Sequence, residues 1–168
     1  MTTRGGLQAA SEEYFEQYME KIRHCVSLLS EDEVWRRPAK GANSIANLLL
    51  HLTGNLSLWV LNSLGGEHNE RHRSLEFSSE RAQIQASKDE LTERLAEVVE
   101  RCRKVARSLS EEDLERSHDI QSYATDGFGA LFHALEHMSY HTGQIVYWAK
   151  VLTEGRETIE FYPQHHSE

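Results

Sequence analysis

The chain has 168 residues, a length that fits one domain with a continuous core. Apolar residues make up 39% and charged residues 27%, an ordinary balance for a globular protein. The formal net charge of −9 argues against a nucleic-acid partner, because phosphate binding requires clustered lysine and arginine. The most apolar stretch, residues 44–64, is too polar for a membrane span, and no secretory signal opens the chain. We therefore expect a cytoplasmic protein with neither a nucleic-acid nor a membrane partner.

Apolar residues recur at helical spacing in four segments, and no segment alternates with period two. The predicted helices cover about residues 9–29, 44–64, 87–109 and 128–153, followed by an irregular tail at 154–168. Ser44 is the expected N-cap of the second helix, and Ser87 with Glu90 forms a capping box at the third. The connections at 67–80 and 110–127 are polar. This pattern predicts an all-α four-helix bundle forming a single domain over residues 1–168.

The chain contains two cysteines, Cys25 and Cys102. Both fall on apolar positions of predicted helices. Such thiols are typical core residues of a reducing compartment rather than a disulfide pair or a nucleophile.

The segment "HALEHMSYHTGQ", residues 133–144, places three histidines four residues apart on the predicted fourth helix. On a helical wheel, His141 lies about 80° from the centre of the apolar stripe, His137 about 120° and His133 about 160°. His137 and His141 therefore flank the core, whereas His133 is expected to point nearly to solvent.

His51 occupies a similar margin on the second helix, about 100° from the stripe centred on Leu52. Two histidines at i and i+4 can chelate one metal ion, because they stack one turn apart. Three histidines in a row cannot converge, since the outer two are about 12 Å apart along the helix axis. The third ligand must come from another helix, and the geometry favours His51, His137 and His141.

Other residues of the fourth helix surround these histidines. Trp148 lies between His137 and His141 in azimuth and is expected to wall one end of a pocket. Gln144 could orient a ligand or the bound nucleophile, or could be a plain surface residue. Tyr140 and Glu136 are predicted on the side away from the metal ligands, and neither is assigned a catalytic role.

Other interpretations of the histidines compete with this one. His133, Glu136 and His137 match the H-x-x-E-H motif of zinc peptidases, but that chemistry needs another ligand well downstream on a larger scaffold. A di-iron bundle needs paired Glu-x-x-His motifs on facing helices, and none is well placed here. His68 and His72 also have i,i+4 spacing, but in a predicted loop. The histidines could also be a solvated polar margin.

Two segments, "SIANLLLHLTGNLSLWV" and "HMSYHTGQI", carry a family resemblance. With the order of helices and the chain length, they make the sequence similar to the DinB-like (DinB/YfiT-like) family over nearly its whole length. The resemblance implies a four-helix bundle, often dimeric, in which His51, His137 and His141 bind one divalent ion, commonly zinc or nickel. His133 lies outside that triad.

The chemistry implied by the resemblance is mixed. Some relatives are bacillithiol S-transferases or mycothiol-dependent isomerases, others are metal-dependent hydrolases, and many have no known reaction. We expect the metal to activate a thiol or water for attack on a small electrophile, with a low-molecular-weight thiol as the preferred cosubstrate. A metal-dependent hydrolase and a non-catalytic metal-binding stress-response bundle are the alternatives.

Overall fold

Helices dominate the structure, a computed structural model that describes residues 6–78 and 84–162. The elements in chain order are α1 (Gly6–Ser27), α2 (Glu31–Trp35), α3 (Ile45–Leu56), a π-helical segment (Ser57–Asn62), α4 (Arg73–Glu76), α5 (Lys88–Ser108), α6 (Glu111–Glu115), β1 (Ser117–Ile120), β2 (Tyr123–Asp126) and α7 (Gly127–Leu152). The predicted tail at 154–168 lies partly outside the described residues. No described helix is long and apolar enough to cross a membrane.

The four long helices pack as a bundle around one apolar core. α1 packs against α5 and α7, and α3 packs against the same two helices. Each helix contributes fully buried side chains to this core, among them Phe15, Leu52, Leu95 and Met138. The predicted all-α bundle is confirmed.

Side-chain caps set the beginnings of several helices. The Ser44 side chain accepts a hydrogen bond from the Asn47 backbone N–H, and the Asn47 side-chain oxygen accepts one from the Ser44 backbone N–H. Ser87 and Glu90 form the same reciprocal pair at α5. Both N-termini begin where the sequence predicts them, because these caps satisfy backbone N–H groups that have no partner within the helix.

The second predicted helix differs from a regular α-helix in its last third. It changes to π-helical geometry at Ser57–Asn62, where the three consecutive residues Trp59, Val60 and Leu61 are buried. Three consecutive residues span about 200° of a regular α-helix, so their side chains point in different directions around the axis. The Trp59 ring packs against α7.

A short antiparallel hairpin occupies the second predicted polar connection, where no strand was expected. β1 pairs with β2 so that Ile120 lies opposite Tyr123, and Gln121 and Ser122 form the two-residue turn. The sequence-based prediction that the chain contains no strands is therefore wrong for this segment. Ile120 is the one buried residue in the two strands, so the hairpin carries no alternating apolar pattern.

The connection after the π-helical segment folds back onto the start of α3. The Asn47 side-chain amide donates to the backbone oxygens of Glu76, at 3.0 Å, and Ser78, at 2.9 Å. Arg37 donates to the Phe77 oxygen at 3.1 Å. These buried bonds hold α4 beside α3 and bring the Glu76 side chain towards His51.

Candidate metal centre

Three histidine side chains from two helices meet at one point in the bundle. The Nε2 atom of His137 lies 2.8 Å from His51 Nε2 and 3.1 Å from His141 Nε2. His51 and His141 are buried, and His137 is half-buried. The structure thus brings together the three residues that the sequence predicts as metal ligands, here called the histidine triad.

Hydrogen bonds on the far side of two rings determine which nitrogen carries the proton. His51 Nδ1 lies 2.8 Å from Glu76 Oε2, and His141 Nδ1 lies 2.7 Å from Gln144 Oε1. Both partners are acceptors, so both Nδ1 atoms are the protonated donors. The Nε2 lone pairs of His51 and His141 therefore point towards the centre of the triad, as metal ligands require.

Glu76 is itself held firmly by Arg71. The guanidinium donates from Nε to Oε1 at 2.6 Å and from Nη2 to Oε2 at 2.8 Å, a two-point contact. Burial alone would raise the pKa of Glu76, but hydrogen bonds from Arg71 and His51 lower it by more. Glu76 is therefore an anion at neutral pH, and it accepts a hydrogen bond from the His51 Nδ1–H group.

Gly54, one turn from His51 on α3, provides the space for this carboxylate. A methyl group at Gly54 would overlap Glu76 Oε1 and would lie 3.0 Å from Arg71 Nε. A glycine inside a helix costs stability relative to alanine. The close approach of the Glu76–Arg71 pair explains why the helix has one here.

Burial keeps two imidazoles of the triad, those of His137 and His141, in the neutral form that binds metals. Burial, followed by the neighbouring His141 and His51, lowers the pKa of His137 to about 3. Burial also lowers the pKa of His141, against an opposing effect of the Gln144 hydrogen bond. At neutral pH, the lone pairs of these two neutral rings are available to a metal ion.

The triad fits a divalent ion in donor type and in spacing. Imidazole nitrogen suits zinc and nickel. Two nitrogens about 2.1 Å from a tetrahedral ion are separated by about 3.4 Å. Two of the observed separations, 2.8 and 3.1 Å, are somewhat shorter than that value, and all three ligand atoms lie within 4.8 Å of one another. The three imidazoles could therefore hold one metal ion.

The triad opens into a cavity of about 590 Å³, here called the histidine cavity. Its walls come from α3, the π-helical segment, the α4 region, the hairpin and α7. The lining residues are His51, Asn55, Trp59, Arg71, Arg73, Phe77, Gln121, Tyr123, His133, His137, Tyr140 and His141. A cavity of this size can admit a small organic molecule beside the triad.

Two wheel-based predictions about α7 are wrong. His133 does not point to solvent: it is half-buried, and its ring centroid lies 4.1 Å from that of Trp59. Tyr140 does not face away, because it lines the histidine cavity with its ring centroid 5.0 Å from that of His141. The π-helical segment and the hairpin cover a side of α7 that a wheel centred on the main core treats as solvent.

Trp148 lies away from the histidine cavity, whereas Gln144 contacts the triad. Trp148 donates from Nε1 to the Arg36 backbone oxygen at 3.0 Å and lines a separate cavity of about 560 Å³. It does not wall the histidine cavity. Gln144 contacts the triad directly, because its Oε1 lies 2.7 Å from His141 Nδ1; whether it orients a ligand or a bound nucleophile stays a prediction.

Sequence reasoning missed Glu76 and Arg71, which lie in a connection predicted as a loop. The only local signal was an acidic residue between apolar neighbours, in "SLEF". His68 and His72, the other pair at i,i+4 spacing, are exposed. Cys25 and Cys102 are buried free thiols.

Comparisons with known proteins agree with this fold. The model of a family described as "Protein of unknown function (DUF1572)" matches residues 5–160. No curated protein sequence matches the chain significantly.

Three solved structures share the architecture. A conserved protein from Enterococcus faecalis has a TM-score of 0.70 at 19% identity, covering 85% of this chain and 95% of its own. A DinB-like protein from Bacillus subtilis has a TM-score of 0.67 at 20% identity, covering 91% and 96%. A DinB-like protein from Bacillus cereus has a TM-score of 0.64 at 12% identity, covering 87% and 95%. At these identities the likeness establishes the DinB-like fold.

Proposed function

This chain belongs to the DUF1572 family and has the DinB-like fold, and we propose that it is a metal-dependent enzyme whose histidine triad binds one divalent ion. One observation carries the proposal. Glu76 and Gln144 orient the rings of His51 and His141 so that their Nε2 lone pairs converge with His137. Three imidazole nitrogens that lie within 4.8 Å of one another can donate their lone pairs to a single cation.

Zinc and nickel are the ions we propose. All three donors are imidazoles, which suit both metals, and the set contains no thiolate that would favour softer ions. Three protein ligands also leave coordination positions open, as in catalytic rather than structural zinc sites. An ion held in this way would lower the pKa of a thiol or a water molecule that reaches it, producing a nucleophile near neutral pH.

The chain's own residues supply positioning around that nucleophile. His51, His137 and His141 hold the ion, while Glu76 and Gln144 fix two of their rings. The aromatic walls of the cavity, including Trp59 and Tyr140, shape the space for an electrophile and exclude part of the water. The open side of the cavity admits small molecules.

Thiol transfer is the reaction we favour. A low-molecular-weight thiol would attack the electrophilic carbon, forming a carbon–sulfur bond. The leaving group would depart with the electron pair of its broken bond, and the thiol proton would pass to solvent. The cysteines do not supply the thiol, because burial raises the pKa of Cys25 to about 11 and keeps Cys102 protonated as well. A separate thiol cosubstrate is therefore required.

Hydrolysis is the second candidate, because the same site can activate water. One assay separates the two reactions: turnover of a chromogenic electrophile requires added thiol in the first case and none in the second. A non-catalytic role, in which the ion only links α3 to α7, predicts a large loss of melting temperature on chelation and no turnover with either set of substrates.

Metal analysis of untagged protein, purified without chelating resin, tests the site directly. We expect near one equivalent of a divalent ion in the wild type and little in His141→Ala. His24→Ala is the matched control, because His24 is an exposed helical histidine on α1, away from the triad. Wild-type protein that contains no metal and takes up none from added zinc or nickel would refute the proposal.

The cellular location and the assembly state are further proposals. Buried free thiols agree with a reducing, cytoplasmic location. The homodimer implied by the resemblance stays a prediction, which analytical ultracentrifugation of the untagged protein would test.

A further inference from the structure

The walls of the histidine cavity carry information about the molecule that enters it. We propose that the substrate is a small organic anion with a planar apolar body, an inference that rests on the proposed function. Arg73 would pair with the anionic group, and the aromatic rings of the cavity would contact the planar body.

The charge of the cavity is opposite to that of the chain. The chain has a formal net charge of −9, yet the described residues that line the histidine cavity include two arginines and no aspartate or glutamate. Arg71 already has its counter-ion, because both of its bonds to Glu76 are short. Arg73 is exposed and forms no ion pair within the described residues. One positive charge therefore remains available at the cavity.

Aromatic rings line the same cavity as this charge. Tyr123 is 68% exposed and Tyr140 is 59% exposed, unusually open positions for large rings on opposite elements of one cavity. The Arg73 guanidinium lies over the Phe77 ring, 5.9 Å from its centroid. Stacking on an aromatic ring fixes the plane of a guanidinium, so the group presents a flat face to a ligand. These features favour a planar ligand over a compact inorganic ion.

A buried polar group in the cavity wall also lacks a protein partner. Asn55 lies one helical turn after His51 and is only 3% exposed, yet its Oδ1 has no hydrogen-bond partner among the described residues. Buried side-chain oxygens nearly always have a partner in native proteins. A polar substituent of the ligand beside the metal could supply it.

The hairpin tip over the cavity is held in an unfavourable backbone conformation. Gln121 has φ 54° and Ser122 has φ 68°, a region that favours glycine or asparagine. The turn places Gln121 and Tyr123 in the cavity wall. Strained backbone of this kind clusters at ligand sites, where it positions side chains.

Two naphthalene probes of opposite charge test the inference. The anion is 2-naphthalenesulfonate, chosen because a sulfonate is a weak metal ligand, and the cation is (2-naphthylmethyl)trimethylammonium. Each is titrated by calorimetry into zinc-loaded and chelator-treated protein. The variant is Arg73→Gln, and the matched control is Arg94→Gln, which removes an equal charge from an exposed position on α5 outside the cavity.

We expect the anion to bind at least several-fold more tightly than the cation in the wild type. Arg73→Gln should weaken anion binding about threefold, the scale of a solvent-exposed ion pair, and leave cation binding unchanged or stronger. Arg94→Gln should bind both probes as the wild type does. Equal binding of the two probes, preference for the cation, no effect of Arg73→Gln, or no binding of either probe would overturn the inference.

Metal content measured on the same samples separates this inference from the proposed function. One equivalent of metal without anion preference would overturn the substrate class alone. Anion preference in protein that binds no metal would support the cavity assignment and refute the metal-dependent enzyme. Arg73 contacts none of the triad, so Arg73→Gln should retain the metal of the wild type.

Discussion

Replacement of Glu76 by glutamine tests how the triad is oriented. The neighbours of both carboxylate oxygens are hydrogen-bond donors: Arg71 Nε at Oε1, and Arg71 Nη2 and His51 Nδ1 at Oε2. A glutamine side chain has one acceptor and one donor end. Its NH₂ group must therefore face at least one donor, whichever way the amide is turned.

The amide orientation decides the consequence. With NH₂ beside His51, the ring would become an acceptor at Nδ1 and carry its proton on Nε2, which removes the metal-binding lone pair. With NH₂ beside Arg71 Nε, one charge-assisted bond is lost and the His51 contact becomes neutral. Loss of such a supporting carboxylate typically weakens metal binding by about 10- to 100-fold. The free energy of unfolding of the metal-free protein should fall by about 1–3 kcal/mol, because the buried guanidinium of Arg71 loses its counter-ion.

Competition with a chromogenic chelator gives the zinc affinity, and thermal unfolding of chelator-treated protein gives the stability. Glu67→Gln is the matched control, since Glu67 lies in the same connection and pairs with Arg101 at a more exposed position outside the cavity. We expect that variant to match the wild type in zinc affinity and to lose less than about 1 kcal/mol of stability. Zinc affinity of Glu76→Gln within about twofold of the wild type would show that Glu76 does not set the His51 ring.

Three further predictions concern stability and reactivity. Gly54→Ala should lower both zinc affinity and melting temperature, because the added methyl group displaces the Glu76 carboxylate. Unchanged zinc binding in a chelator competition would contradict the close approach of Glu76 to Gly54. Ser122→Gly should stabilise the protein by about 1 kcal/mol in urea unfolding, since Ser122 has φ 68°, whereas Ser122→Ala keeps the strain and should not. Cys25 and Cys102 should not react with a disulfide reagent at pH 8 until the protein is unfolded, because burial raises the pKa of both thiols; rapid reaction of the native protein would be inconsistent with their positions.

The local sequence was sufficient for the bundle and for the grouping of the triad. Apolar spacing identified four helices, and Ser44 and Ser87 marked two of their beginnings, because capping depends on residues three apart in the chain. The i,i+4 spacing of His137 and His141 required a third histidine from another helix. The structure brings His51 to that position, and metal binding by the three remains a prediction.

Tertiary structure alone decided what surrounds the triad. Glu76 reaches His51 from 25 residues away through buried bonds between the α4 region and α3, contacts that no local pattern encodes. A helical wheel measures direction from a single apolar stripe, so it assigns His133 to solvent and Tyr140 to the side away from the metal ligands. In the fold, the π-helical segment and the hairpin pack over that side of α7 and turn it into a cavity wall. Spacing along a helix specifies which side chains share a face, but long-range packing determines what that face meets.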